Sequence, residues 1–356
     1  MTSLRDAVVV NGRFLAHATT GVQRFAREIV RELAPLVPLV VAAPPVTLLD
    51  ADLGARIVPV GRRGGHAWEQ LDLPAFLRRS GSPLLLGLAS TGPSFYRPQI
   101  VAHHDITYVR HPESFARSFR LLYRVLIPSL LRTSARVLTV SDFSAGEIAE
   151  HYRVPAEKLR VVPNAVSSGF SPDGPAHDEG QPYLLAVSSP NRHKNFDALL
   201  RAFESAELRH IRRLLIVGGQ ARAFRSGRGD AGAERVRFLG RVDDHELAAL
   251  YRGAAAFAFP SLYEGFGIPP LEAQRAGTPV LASRAASLPA VLGESVLWVD
   301  PRDVADMRRG IERLDRDESL RAELTQRGRA NEQRFSWAAS ARRVAEVIAE
   351  VRAETA

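Results

Sequence analysis

The sequence predicts an α/β chain of two doubly wound, Rossmann-like parallel-sheet domains, and three observations carry that expectation. Short apolar runs of strand length alternate with stretches of helical spacing, the pattern of parallel strands joined by crossover helices. The alternation is interrupted once, at residues 166–182, VSSGFSPDGPAHDEGQP, a run rich in Ser, Gly, Pro and charge, and then restarts. With 356 residues the chain is long enough for two domains of ordinary size. The expected boundaries are 1–168 for the first domain, 181–335 for the second and 336–356 for a closing helix. Ligands of such sheets bind outside the strands' carboxyl ends, so the two domains would face a common cleft.

Taken in order, Ala7–Val10 is a first strand, and Gly12 with Thr19-Thr20-Gly21 makes the loop after it. Val22–Leu36 has helical spacing, with Val22, Phe25, Ile29, Val30 and Leu33 on one face. Strand-like runs recur at Pro38–Ala43, Arg56–Val60, Leu84–Leu88, Ile100–Ala102 and Val137–Val140, with helices at Glu113–Arg132 and Phe143–Tyr152. After the 166–182 interruption come strand Tyr183–Val187, helix Asn195–Glu207, strands Leu214–Val217 and Val236–Leu239, and helix Asp244–Tyr251. Ala254–Phe259 is a buried strand, followed by a glycine-bearing turn, a helix opened by Pro269 and Pro270 and closed by Gly277, and a strand Pro279–Ala282. The tail is helical from Val304, broken at Phe335-Ser336-Trp337, with a last amphipathic helix to about Val351.

Composition narrows the function. The chain has no cysteine, which excludes disulfides and thiolate metal sites. No apolar run approaches the ~18–20 residues of a spanning helix, and the N-terminal run is too short for a signal peptide, so a cytoplasmic protein is expected. Formal charge is +8, unevenly placed: residues 1–170 hold 20 Arg or Lys against 13 Asp or Glu, residues 171–356 hold 27 against 26. A basic first half suggests an anionic partner there. Only two lysines occur, Lys158 and Lys194.

The richest stretch is Pro260–Ser283, PSLYEGFGIPPLEAQRAGTPVLAS. Glu264 lies in a loop at a strand's carboxyl end, and Glu272 in the first turn of the next helix. Gly265 and Gly267 leave backbone amides open to a ligand, and the helix N-terminus favours an anion. Ser261 and Glu264 also have capping-box spacing, and Glu272 could simply complement the helix dipole. In LLAVSSPNRHKNFDALL, Arg192 and Lys194 sit between a strand end and a helix start, where two cations suit a diphosphate. Asn195 reads as the helix cap. Val217-Gly218-Gly219 ends the next strand, and tight turning or a nearby nucleotide accounts for it equally. In the first half, Thr20-Gly21-Val22 opens a helix with Thr20 as a possible cap, and His103-His104-Asp105 ends a strand.

These segments together resemble the retaining glycosyltransferases of family 4, which have the two-domain GT-B fold; the two glutamates match that family's E-x7-E segment, and the likeness runs over nearly the whole chain. The resemblance implies transfer of a hexose, mannose foremost, from a nucleotide diphosphate sugar such as GDP-mannose to a saccharide or lipid-linked saccharide acceptor in cell-surface polysaccharide or glycolipid synthesis. It implies that Arg192, Lys194 and the Gly21 amide meet the diphosphate, that His104, with Asp105, contacts the donor sugar, and that Glu264 with Gly265, Phe266 and Gly267 holds sugar hydroxyls. Glu272 would hold the ribose and Gly218 would lie near the nucleotide. No cofactor or metal is expected, no nucleic acid partner, and the last helix would cross back to the first domain. A nucleotide-sugar 2-epimerase of the same architecture and a non-catalytic sugar-nucleotide-binding protein are the rivals.

Three motifs are set aside. Gly227–Gly232 fits G-x-G-x-x-G but follows no strand, and the position after the first strand, where a dinucleotide fingerprint belongs, holds Asn11-Gly12-Arg13. Asp50-Ala51-Asp52 lacks partners for a metal. Asp315-Arg316-Asp317 reads as the surface of a charged helix. Finally, residues 115–132, FARSFRLLYRVLIPSLLR, carry Arg117, Arg120 and Arg124 on one helical face and Phe115, Phe119, Leu122 and Leu126 on a neighbouring one. That predicts contact with an anionic membrane and a peripheral place at the inner face of the plasma membrane.

Overall fold

The computed structural model describes residues 4–45, 52–187, 191–218 and 235–355. The motif at Gly227–Gly232, Gly219, and Asp50 and Ala51 lie outside the described residues. The chain divides into two units: one contains the residues through Val109, Phe115–Asn164 and those from Ser336 onward, the other Arg110–Ser114 and Ala165–Phe335.

The first unit is built on seven parallel strands: β1 (Val8–Asn11), β2 (Leu39–Ala43), β3 (Arg56–Pro59), β4 (Leu84–Gly87), β5 (Gln99–Ala102), β6 (Arg136–Thr139) and β7 (Leu159–Val161). They lie in the order β3-β2-β1-β4-β5-β6-β7, so the winding reverses between β1 and β4. Central strands such as β1 and β4 are buried along their whole length, as strands covered on both faces must be. Val9 pairs with Val40 on one side and Leu85 on the other. Gly12 permits this closeness: a Cβ there would stand 2.6 Å from the Ala42 carbonyl oxygen. The helices are α1 (Gly21–Leu33), α2 (Leu73–Arg79), α3 (Arg117–Thr133) and α4 (Asp142–Tyr152). A π-helical turn, Trp68–Asp72, leads into α2 and buries Trp68 and Glu69. The sequence pattern missed this turn and β7.

The second unit has six parallel strands: β8 (Tyr183–Val187), β9 (Arg213–Val217), β10 (Val236–Gly240), β11 (Ala256–Phe259), β12 (Val280–Ser283) and β13 (Leu297–Val299). Their order is β10-β9-β8-β11-β12-β13, with the reversal between β8 and β11. Its helices are α5 (Phe196–Ser205), α6 (Asp244–Gly253), α7 (Ile268–Ala276), α8 (Leu288–Leu292), α9 (Val304–Arg316) and α10 (Glu318–Glu332). Leu199, Phe203, Ile216, Met307 and Ile311 meet in the core between α5, α9 and the sheet. The final helix, α11 (Trp337–Thr355), packs in the first unit against α1, where Trp337 meets Phe25 at 6.1 Å between ring centroids. Ser340 donates to the Pro163 carbonyl at 2.7 Å, and Arg160 pairs with Glu350 at 2.8 Å.

Three sequence expectations need correction. Residues 166–182 are no free linker: Phe170 is buried against Tyr251, and Arg252 donates to the carbonyls of Ser171 and Pro175. Asp315 is not a surface residue. It is fully buried, and its carboxylate accepts the N–H groups of Arg209, His210 and Ile211 at 2.6–2.9 Å, which holds it below the usual carboxylate range despite the opposing cost of burial. The expected apolar face of the 115–132 helix is largely core, because Phe115 and Phe119 pack against Tyr108 and Tyr123, and Leu126 is buried.

Candidate active site

In the second unit the candidate residues gather where the sheet reverses. A reversal sends the flanking loops to opposite faces and leaves a crevice at the strands' carboxyl ends. The loop after β8 supplies Arg192 and Lys194, and the loop after β11 supplies Glu264. Lys194 Nζ donates to Glu264 Oε1 at 2.7 Å, with side-chain exposures of 18% and 12%. Lys194 also stands 5.8 Å from the centre of the Phe259 ring at the end of β11. Arg192 is exposed, and its guanidinium has no partner among the described residues. One cation is therefore tied to a carboxylate and the next is free to take an anion.

The 264–267 loop is held from the next strand's connection. Ser287 Oγ donates to the Glu264 carbonyl at 2.9 Å and to that of Phe266 at 3.2 Å. Gly267 caps α7 at φ 99°, a left-handed conformation open to glycine, and a Cβ there would meet Leu288 Cδ2 at 2.6 Å. The N–H groups of Phe266 and Gly267 take no acceptor among the described residues, while Gly265 is engaged elsewhere. Helix α7 begins at Ile268, so Ser261 is not its cap and the capping-box alternative for Glu264 falls. The same start moves Glu272 from the expected first turn to the second, where it is buried and accepts the Tyr251 hydroxyl at 3.2 Å.

Asn195 also departs from expectation. It occupies the cap position of α5 at φ 60°, but its side chain makes no capping bond. Its amide instead donates to the carbonyls of Pro260, at 3.1 Å, and Pro301, at 2.7 Å, fixing the Lys194 loop to the Glu264 loop. His193, between the two cations, was missed by sequence reasoning. It is buried, its Nδ1 lies 3.0 Å from Ser114 Oγ, and its carbonyl accepts the Leu262 N–H at 2.7 Å. Gly218, at φ 87°, directly follows β9 and its N–H donates to the Gly240 carbonyl at 2.6 Å.

The first unit holds a second constellation. Gly21 is the exposed first residue of α1, where an N–H has no helical acceptor. Thr20 precedes it, and its N–H donates to Gln23 Oε1 at 3.2 Å. Consecutive residues at a strand end point to opposite faces, which separates the two histidines after β5. His104 is buried, its Nε2 3.0 Å from the Leu88 carbonyl and its ring edge-on to Phe25 of α1 at 4.8 Å. A carbonyl can only accept, so Nε2 carries the proton and donates, and burial lowers the pKa of the ring. His103 points the other way, to the Tyr108 hydroxyl at 3.1 Å, and burial lowers it to about 4. Asp105 accepts the Thr107 N–H at 2.8 Å and its hydroxyl at 2.6 Å, capping a short helical turn.

Sequence reasoning also missed a buried network at the β1/β4 reversal. Glu69 is fully buried and receives Asn11 Nδ2 at 2.7 Å, Arg13 Nε at 3.1 Å and the Thr91 hydroxyl at 3.0 Å, with His66 Nδ1 at 3.2 Å. Burial alone would raise its pKa, but these partners together hold it low. Asn11-Gly12-Arg13 was the only visible signal, noted because it occupies the place of a dinucleotide fingerprint.

Residues 169–331 match a family model described as glycosyl transferases group 1, and residues 19–169 one described as Glycosyltransferase Family 4. The chain is 33% identical over 270 residues to the O-antigen chain mannosyltransferase B of Escherichia coli, covering 69% of this chain and 70% of that one. It is 29% identical over 258 residues to the serotype-specific mannosyltransferase WbdA of Escherichia coli, covering 67% of this chain but only 32% of that longer protein. Among solved structures, the sucrose-phosphate synthase of Thermosynechococcus elongatus superposes with a TM-score of 0.77 at 19% identity, over 98% of this chain and 100% of that one.

Proposed function

The chain belongs to the family 4, group 1 glycosyltransferases, and on that premise we propose that it moves a hexose, mannose foremost, from a nucleotide diphosphate sugar to a saccharide acceptor in cell-surface polysaccharide synthesis. The mannosyltransferase relatives support the choice of sugar and of pathway class. GDP-mannose is the proposed donor, and a lipid-linked saccharide the proposed acceptor. Transfer proceeds with retention and without a metal ion.

The observation that carries this reading is the Lys194–Glu264 pair at the reversal of the second sheet, with Arg192 unpaired beside it among the described residues. An arriving diphosphate meets Arg192 and the Lys194 ammonium, whose remaining N–H bonds are free to turn toward it. Charge grows on the diphosphate as the bond to the sugar breaks, and positioned cations stabilise it most in that state. Glu264 keeps one carboxylate oxygen for sugar hydroxyls, and the Phe266 and Gly267 N–H groups offer donors at the start of α7. His104 contacts the donor sugar, and Glu272 takes the ribose. The departing phosphate accepts the acceptor's proton, because none of these side chains is a poised nucleophile.

A thermal-shift screen of nucleotide diphosphate sugars tests the assignment, since a ligand bound at 100 times its Kd stabilises the fold by about 2.7 kcal/mol. GDP-mannose should raise the midpoint more than GDP or other sugar nucleotides. Equal response to all of them would remove the donor assignment.

A further inference from the structure

The chain has three tryptophans, and one of them reaches solvent. Trp68 and Trp337 are buried, whereas Trp298 is half-buried. Trp298 lies on β13, the edge strand of the second sheet, between Leu297 and Val299, which join the core beneath α9. Successive side chains of a strand point to opposite faces, so the indole turns away from that core. On its own side Nε1 donates to the Gly293 carbonyl at 3.0 Å, just after α8. That bond satisfies the indole nitrogen and fixes the ring. Arg284, directly after β12, sets its guanidinium 5.2 Å from the ring centre.

An open pocket of about 490 Å³ lies here, lined by Arg284, Trp298, Val299, Asp300, Arg302 and Asp306. It stands at the carboxyl ends of β12 and β13, the same end of the sheet that carries Lys194 and Glu264. Two strand spacings separate β13 from β11, about 10 Å. The pocket loop is fixed: Asp300 accepts the Arg302 N–H at 2.8 Å, and Asp306 accepts the Asp300 N–H at 2.9 Å. The Pro301 carbonyl takes the Asn195 amide at 2.7 Å, which ties the loop to the residue after Lys194. The Arg284 and Arg302 guanidinium groups and the second Asp300 carboxylate oxygen have no hydrogen-bond partner among the described residues.

An aromatic face rimmed by charged donors and an acceptor suits a pyranose ring. The sugar carries C–H groups on its faces and hydroxyls round its edge. The negative face of the indole attracts those C–H groups, and ionised partners hydrogen-bond hydroxyls more strongly than neutral ones do. We propose that Trp298, with Arg284, Asp300 and Arg302, forms a second saccharide site, which holds a sugar of the chain being extended, away from the end that reacts. Arg284 yields the indole face to the sugar and turns to its hydroxyls. The site shares no residue with the Lys194–Glu264 constellation. The choice of mannose as its sugar rests on the proposed function, whereas the site itself rests on the pocket.

Affinity electrophoresis of the full chain tests this, in gels with and without a branched α-mannan. The mannan should retard the wild-type protein. Trp298→Ala should weaken binding about tenfold, and Trp298→Phe, which keeps an aromatic face, should recover part of the loss. Arg284→Ala/Asp300→Ala, both on exposed side chains, should also weaken it about tenfold. Arg56→Glu, an exposed change on β3 of the first unit, should leave it unchanged. Mannan should shift the tryptophan emission of wild type and not that of Trp298→Phe, because the other two indoles are buried. No retardation of wild type, or equal retardation of every variant, overturns the proposal. Retardation that GDP or Lys194→Ala abolishes overturns it too, since the mannan would then occupy the transfer site. The donor thermal shift should persist in Trp298→Ala; if it does while wild type is not retarded, only this inference falls. Retardation that depends on Trp298 in a protein without a donor shift keeps the site and removes the proposed function.

Discussion

Replacing Lys194 with alanine separates a structural from a chemical role, because the two have different sizes and readouts. Two unit charges 2.7 Å apart attract by about 6 kcal/mol at an effective dielectric of 20, but desolvation of both ends offsets most of that. Charged hydrogen bonds in mutational series are worth roughly 1.5–3 kcal/mol, and this pair is neither fully buried nor open. Lys194→Ala should therefore cost about 2 kcal/mol, lowering the midpoint of a unit this size by about 4–8 °C. A domain with ~5–15 kcal/mol of stability remains folded at 25 °C. Turnover per folded molecule should nevertheless fall by ~10²-fold, the typical loss for one donor aimed at developing charge. Melting by circular dichroism gives the first quantity and release of nucleotide diphosphate in the presence of acceptor gives the second. In Lys194→Ala/Glu264→Gln part of the lost stability should return, since no carboxylate is then left without its counter-ion. Turnover within twofold of wild type, with the midpoint lowered as calculated, would show that Lys194 serves only to hold Glu264.

Three further outcomes follow from the geometry. Asp315→Ala strands three N–H groups, two of them on partly exposed residues, and should cost about 3 kcal/mol in urea unfolding; a loss under 1 kcal/mol would mean that water replaces the carboxylate. His103 is neutral in the fold with its pKa at about 4, against an ordinary value of 6.5, so its contribution is intact above pH 6.5 and is lost as pH falls toward 4. His104 acts in the same direction. The stability of His103→Gln, measured at pH 7.5 and pH 5, should fall less steeply than that of wild type; equal slopes contradict the assignment. Transfer should persist in excess chelator, and its abolition would bring back a metal role for the segment around Asp52.

The sheets were legible because central parallel strands are buried on both faces and so read as unbroken apolar runs, as in VVVN at β1 and AFAF at β11. Short strands with polar residues, such as LRV at β7, carry no such signal. Arg192, Lys194 and Glu264 were legible as polar residues in βα loops, a property of local order. That Lys194 and Glu264 touch was not, because 69 residues intervene and only the strand order β8-β11 makes their loops neighbours. Asn195 shows the same limit: the sequence marks a cap, while tertiary contacts turn its amide to Pro260 and Pro301. Asp315 sits in a charged helix and looks solvated, until the 209–211 segment closes over it with three donors. On α3, helical spacing marks an apolar stripe through Phe119, Leu122 and Leu126 but not how much of it faces inward. Docking against β5 and β6 decided that, burying Leu126 and leaving Leu121 and Val125 in water. Periodicity is a property of one element, whereas burial depends on what packs against it, and that partner is far away in the chain.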